Sequence, residues 1–246
     1  MKTQIILLPL MVFNILNAQQ EGKNIIKTNV TAYAFRNLNL TYERSINKTF
    51  SISLGFSTIT KGDVPIVKKY FEDQVGSEFK DIEMSMTSLT IGPRMYLGKN
   101  YNSGFYFAPY YRYTKLKMDN MVYNFSYTDS NNVNREIPFN MSGDISANSF
   151  GLMLGAQWYF GTKKNWVLDW WIVGGHYGFS SGNVVGRPKS GMPLSPEDQE
   201  NILEEVNGFD IPIIRYDVDA DSKEVRVQID GPWAGLRSGL SVGYRF

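Results

Sequence analysis

"SGLSVGYRF", residues 238–246, closes the chain in strict alternation. Phe246, Tyr244, Val242 and Leu240 share one face, and Arg245, Gly243, Ser241 and Gly239 share the other. A period of two is the signature of a β-strand. One face is greasy, while the other is too small and too polar to form a dense core. Such a strand suits a wall with lipid outside and a polar interior, so the reading that follows is an outer-membrane barrel.

The same rhythm recurs upstream in eight segments. The first covers about residues 26–35 and is the least patterned; a tight turn at Arg36 and Asn37 leads into the second. The cleanest is the hairpin 38–59, "LNLTYERSINKTFSISLGFSTI". There Leu38, Leu40, Tyr42, Arg44 and Ile46 oppose Glu43, and Phe50, Ile52, Leu54 and Phe56 oppose Ser51, Ser53, Gly55 and Ser57. The fourth to seventh strands are expected at 83–97, from 105 in "FYFAPYYRYTKLKMD", in "SANSFGLMLGAQWYF" ending at Phe160, and at 166–179; the eighth is 233–246. Residues 61–82 and 180–231 read as long connections, and 119–143 as an extended outer hairpin or loop with "DSNNVN" at its tip. The 180–231 connection holds "SPEDQENILEEVNGF", a helix with Ser195 as N-cap, Pro196 at its first position and Gly208 as a stop, and "EVRVQID", residues 224–230, which alternates as an extension of the last strand.

The other end carries "MKTQIILLPLMVFNILNAQQ": one lysine, an apolar run over 5–16 and a small residue at Ala18. That is the layout of a secretory signal peptide, expected over 1–18, with 19–246 as one barrel domain. Losing Lys2 with it leaves 24 basic against 24 acidic residues, which gives no footing for nucleic acid. There is no cysteine and one histidine, so disulfide, thiolate and zinc chemistry find no ligands and no cofactor is expected. Beyond the leader no apolar run approaches the roughly 20 residues of a membrane helix, so a spanning form must be a closed barrel.

The connections orient that barrel. With both ends in the periplasm, the turns near Asn47, at 98–104 and at 161–165 are periplasmic, and the three long connections are extracellular. Phe105, Phe107, Trp158, Phe160, Trp166, Tyr244 and Phe246 then gather beside the periplasmic ends, as an interfacial aromatic belt should. A soluble barrel of the lipocalin kind, or a periplasmic sandwich, is the competing fold.

"NLTYERSINKTFSISLGF" (39–56), "GPRMYL" (92–97), "LDWWIVGGHYG" (168–178) and "GLSVGYRF" (239–246) together resemble a family of small porin-like outer-membrane β-barrels of Gram-negative bacteria, loosely similar to the OmpA-like barrel domains. The resemblance implies location and fold but no activity. It also implies that the C-terminal aromatic strand is read by the barrel assembly machinery. The long connection 180–231 departs from the pattern.

Inside an eight-stranded barrel side chains fill the lumen, so Glu43, Arg94, Arg112, Asp169, Arg237 and Arg245 are expected to pair there as a polar network. His176 reads as a surface or girdle residue. With Ser180 and Ser181 it invites comparison with lipid A deacylases, but Gly178 stands where their serine should be. "DVDADSKE", 217–224, has the acids of a calcium loop without its glycine or its closing glutamate. The function expected is non-enzymatic: a monomer in contact with outer-membrane lipid and lipopolysaccharide, with a structural or binding role through the outer connections. A narrow porin is the first alternative and a lipid A-modifying enzyme the second.

Overall fold

The computed structural model describes residues 22–62, 83–208 and 213–246; the expected signal peptide and most of the 61–82 connection lie outside them. The chain is all-β. Nine strands form one antiparallel sheet: β1 (Asn24–Asn29), β2 (Asn37–Ser45), β3 (Phe50–Gly62), β4 (Glu83–Tyr96), β5 (Gly104–Thr128), β6 (Asn134–Phe160), β7 (Trp166–Pro188), β8 (Arg215–Ala220) and β9 (Val225–Arg245). Each of the first seven pairs with the next, β7 pairs with β9, and β9 returns to β1, so eight strands close a ring. β8 lies outside the ring on the edge of β9, with Arg215 opposite Asp230 and Ala220 opposite Val225.

Closure is local and short. Ile25 faces Arg245 and Asn29 faces Ser241 across the β1–β9 seam, and Asn24 and Phe246 exchange backbone hydrogen bonds of 3.0 and 2.8 Å. The alternation read from the sequence is the alternation of the wall. Leu38, Leu40, Phe50, Ile52, Leu54, Phe56, Leu89, Ile91, Phe150, Leu152 and Leu154 point away from the interior and stay exposed, whereas Thr41, Glu43, Ser51, Arg94, Ser149 and Gln157 point inward and are buried.

Three details refine the expectation. The first strand ends at Asn29, and the chain then winds through a short 3-10 helix, Thr31–Phe35, which Arg36 closes in the left-handed region at φ 56°; Val30, Tyr33 and Phe35 are apolar without a period of two. The 119–143 segment takes the hairpin form: β5 and β6 stay paired out to Thr128 opposite Asn134, with one register shift between Met118 and Met121. Most of 180–231 is likewise regular: β7 continues to Pro188, and β9 begins at Val225, taking in the alternating "EVRVQID".

β5, β6, β7 and β9 therefore outrun the 9–11 residues that cross a bilayer and rise as a wall beyond one end of the ring. Helix α1 (Pro196–Asn207) lies on that wall. It starts where the sequence said, with Ser195 and Asp198 forming a reciprocal capping box, Pro196 in the first turn and Gly208 at the C-cap. Ile202 and Leu194 bury against Phe125, Phe139 and Val225 to give the wall its own small core.

Candidate functional site

The ring interior holds two tiers of polar side chains, and the outer wall above them forms a third, mostly apolar tier. The lowest is a fully enclosed charge cluster. Lys27, carried inward by β1, donates from Nζ to Glu43 Oε2 at 2.5 Å, Gln157 Oε1 at 2.7 Å and Asp169 Oδ2 at 2.7 Å. Arg94 Nη1 reaches Asp169 Oδ2 at 2.7 Å and Glu43 Oε2 at 3.3 Å. The remaining carboxylate oxygens are saturated: Tyr96 Oη and Ser51 Oγ donate to Glu43 Oε1 at 2.6 and 2.7 Å, and Tyr106 Oη donates to Asp169 Oδ1 at 2.8 Å. Two cations against two anions, every one hydrogen-bonded, is the condition under which buried charge is tolerated.

The turn joining β4 to β5 seals this tier from below. Asn102, at φ 43°, tucks beneath the cluster with no exposed surface; it donates from Nδ2 to the Asn47 carbonyl at 3.1 Å and accepts from Gln157 Nε2 at 3.1 Å. At the same end of the wall, Phe160, Trp166 and Tyr244 pack as a row with ring centroids 6.3 and 5.7 Å apart. Phe105, Trp158 and Phe246 are exposed around the same end and Phe107 is half-buried.

Of the six charges read from the sequence, Glu43, Arg94 and Asp169 meet in this cluster. Arg245 stays at the sealed end, its guanidinium 4.4 Å from the Tyr159 ring. Arg112 and Arg237 do not join the expected network; they sit in the second tier, where no carboxylate among the described residues pairs with them. Arg112 donates to Ser88 Oγ at 2.8 Å and Thr90 Oγ1 at 3.0 Å, and Arg237 lies 5.0 Å from the Tyr110 ring and 4.9 Å from that of Trp171. Lys27 was missed. Its segment, "NIIKTN", is too short to show alternation, yet the lysine is the hub of the cluster.

His176 is a correction. Counting in twos from Trp166 and Trp170 puts it on the outer surface, but β7 carries an extra residue at Ile172: Leu154 pairs with Val173 and the next residue, Gly155, with Trp171. One inserted residue exchanges the two faces beyond it. Val173, Tyr177 and Phe179 accordingly point out, while His176 turns in, half-buried, with Nδ1 3.3 Å from Tyr110 Oη.

The third tier is the outer wall. Below α1 a cavity of about 460 Å³ is lined by Met121, Tyr123, Phe139, Met141, Val206 and Val227 among others, with almost no polar lining. At the helix, Tyr127 Oη donates to Asp198 Oδ1 at 2.6 Å. Burial and this bond push the Tyr127 hydroxyl up to about 12. Burial works against the Asp198 carboxylate, but hydrogen bonds from Tyr127 and Ser195 hold it below the usual range. The acidic "DVDADSKE" forms β8 and a turn, in which Asp221 Oδ1 accepts from the backbone of Lys223 and Glu224 at 2.6 and 2.9 Å.

No protein-family model matches this chain, and no curated protein matches its sequence.

Proposed function

We propose that this chain is an exported, monomeric eight-stranded β-barrel of the bacterial outer membrane, closed at its periplasmic end, whose work is binding at its outer face rather than conduction or catalysis. The observation that carries the reading is the sealed cluster of Lys27, Glu43, Arg94, Asp169 and Gln157, with 5% or less of each exposed. Solvated ions have no route through such a tier, so the porin alternative loses its support. Above it the same strands build a wall with its own core and cavity, a large amount of ordered structure for a protein that only lines a membrane.

Membrane insertion is supported by the dressing of the ring. Aliphatic side chains cover the outside, and aromatic residues sit at both limits of the band: Trp158, Phe160, Trp166 and Tyr244 at one, Phe150, Tyr177 and Phe179 at the other. From Trp166 to Phe179 the strand path is roughly 40 Å at 3.3 Å per residue, or roughly 30 Å of height at a 40° tilt, comparable to the apolar band of such barrels. The lipid A-modifying alternative needs a His–Ser pair on the lipid-facing wall. His176 points away from it, and Ser180 Oγ donates to the Gly231 carbonyl at 3.2 Å.

Planar-bilayer recording with purified protein tests this reading, alongside heat-modifiable migration on an unboiled gel and membrane fractionation. A silent, heat-modifiable protein in the outer-membrane fraction is the expected outcome. Regular conductance steps, or a folded protein that remains water-soluble without detergent, would refute it.

A further inference from the structure

The second tier of the interior breaks a rule that the first tier obeys. Buried charges are paired, because an uncompensated one is expensive in a low-dielectric site. Arg112 is 8% exposed, and Arg237, half-buried, lines the same cavity of about 420 Å³. Among the described residues neither guanidinium has a carboxylate within 4.0 Å; Glu43 and Asp169 are engaged one tier below. Hydroxyls orient Arg112 and aromatic rings orient Arg237, but neither kind of contact neutralises a charge. His176, whose Nδ1 lies 3.3 Å from Tyr110 Oη, brings no negative charge either. Two oriented guanidiniums in one cavity, each with unused N–H donors, present the fork that matches phosphate and carboxylate oxygens.

The cavity has a second property. β9 pairs with β8 up to Asp230 and with β1 only from Ser241. Between them, residues 231–239 have a ladder on the β7 side alone. Among the described residues no strand pairs with that side of β9 there, and Leu236, 87% exposed, shares the cavity lining with Phe35 of the 3-10 helix and with Phe56. Unpaired backbone at that depth is tolerated where it borders a wet cavity. The floor is cationic and the lip is apolar.

We propose that Arg112 and Arg237 form a binding site for an oxyanion, the phosphate or carboxylate group of a ligand, reached from the outer side of the ring and through the gap beside Leu236. The charge argument is independent of the membrane reading; access for an amphiphile whose chain leaves past Leu236 rests on it.

The test uses the full chain in uncharged maltoside micelles, titrated separately with inorganic phosphate and with dodecyl phosphate and followed by 31P NMR and calorimetry. Saturable binding that weakens at least tenfold in Arg237→Gln, and again in Arg112→Gln, is expected, with heat-modifiable migration checking that each variant is folded. Dodecyl phosphate binding tenfold or more tighter than phosphate, with the preference reduced in Leu236→Ser, supports a membrane-borne ligand. Equal affinities support a free anion taken from the outer medium. No saturable binding of either probe, or binding indifferent to both arginine substitutions, overturns the proposal. Since silence in planar bilayers is read separately, failure here leaves the closed-barrel reading standing.

Discussion

Lys27 Nζ lies 2.5 Å from Glu43 Oε2, and neither side chain has any solvent exposure. The pair spans the first hairpin of the ring, and Lys27 also reaches Asp169 on β7, across the closing strand β9. Replacing Lys27 by Met leaves Glu43 and Asp169 sharing only Arg94. Breaking a buried ion pair from one side costs about 3–5 kcal/mol, because the abandoned charge is not rehydrated. Lys27→Met should lower the urea unfolding midpoint of the detergent-folded protein accordingly, and adding Asp169→Asn, which restores neutrality, should recover part of the loss. An unchanged midpoint in the single variant would remove the cluster from any account of stability.

A glycine inside the ring makes room for the ring of a tyrosine. A Cβ on Gly155 would collide with the Tyr106 hydroxyl and the Trp170 carbonyl, and Tyr106 Oη is held by Asp169. Gly155→Ala should cost about 1–3 kcal/mol by overpacking. The same substitution in a Tyr106→Ala background should cost less, since only the backbone contact remains. Additive losses in a double-mutant cycle would show that the two positions do not communicate.

How much of this was legible beforehand follows from what each segment had to satisfy. Residues 38–59 face lipid-type surface on one side and a polar interior on the other, so their alternation carries the hairpin, and Leu40 opposite Phe56 is its register. The α1 helix was readable because Ser195, Pro196 and Gly208 are local signals that need no tertiary context. Lys27 and His176 were not readable in this way. Lys27 sits in a six-residue strand whose apolar Ile25 and Ile26 point to opposite sides. For His176 the deciding event is the extra residue at Ile172, and a bulge leaves no mark in an apolar run such as "WWIVGG". The length of the wall was legible only in part, with 119–143 readable as hairpin or loop, because away from the aliphatic band polar strands and polar loops have similar compositions.

The docking of α1 should hold only within a pH window. Asp198, lowered in the folded protein, contributes stability that is present above its unfolded value of about 3.9 and lost as pH falls further. Tyr127 is raised to about 12, so its contribution is complete below the unfolded value of about 10 and lost as pH climbs towards 12. The chain has no cysteine, so Glu200→Cys on the exposed side of the helix gives one spin-label site. Label mobility should stay flat from about pH 4 to 10 and rise at both ends. Tyr127→Phe should abolish the alkaline limb, and persistence of that limb would assign it to another group.

The lipid-facing reading makes a prediction about residues that look unimportant. Leu54 is 43% exposed, between Tyr42 and Ile91 on the outer surface, and Leu97 is 69% exposed near the sealed end. On a water-soluble ring, arginine at either site is a surface substitution worth within about 0.5 kcal/mol. In a bilayer the two positions separate, because an arginine near the midplane of a barrel costs about 2–4 kcal/mol and one near an interface about 0–1. Leu54→Arg should therefore lower the folding free energy in lipid vesicles by at least about 2 kcal/mol more than Leu97→Arg, at unchanged denaturant slope. Equal and small effects at both positions would mean that the aliphatic stripe does not meet hydrocarbon, and with it the membrane assignment would fall.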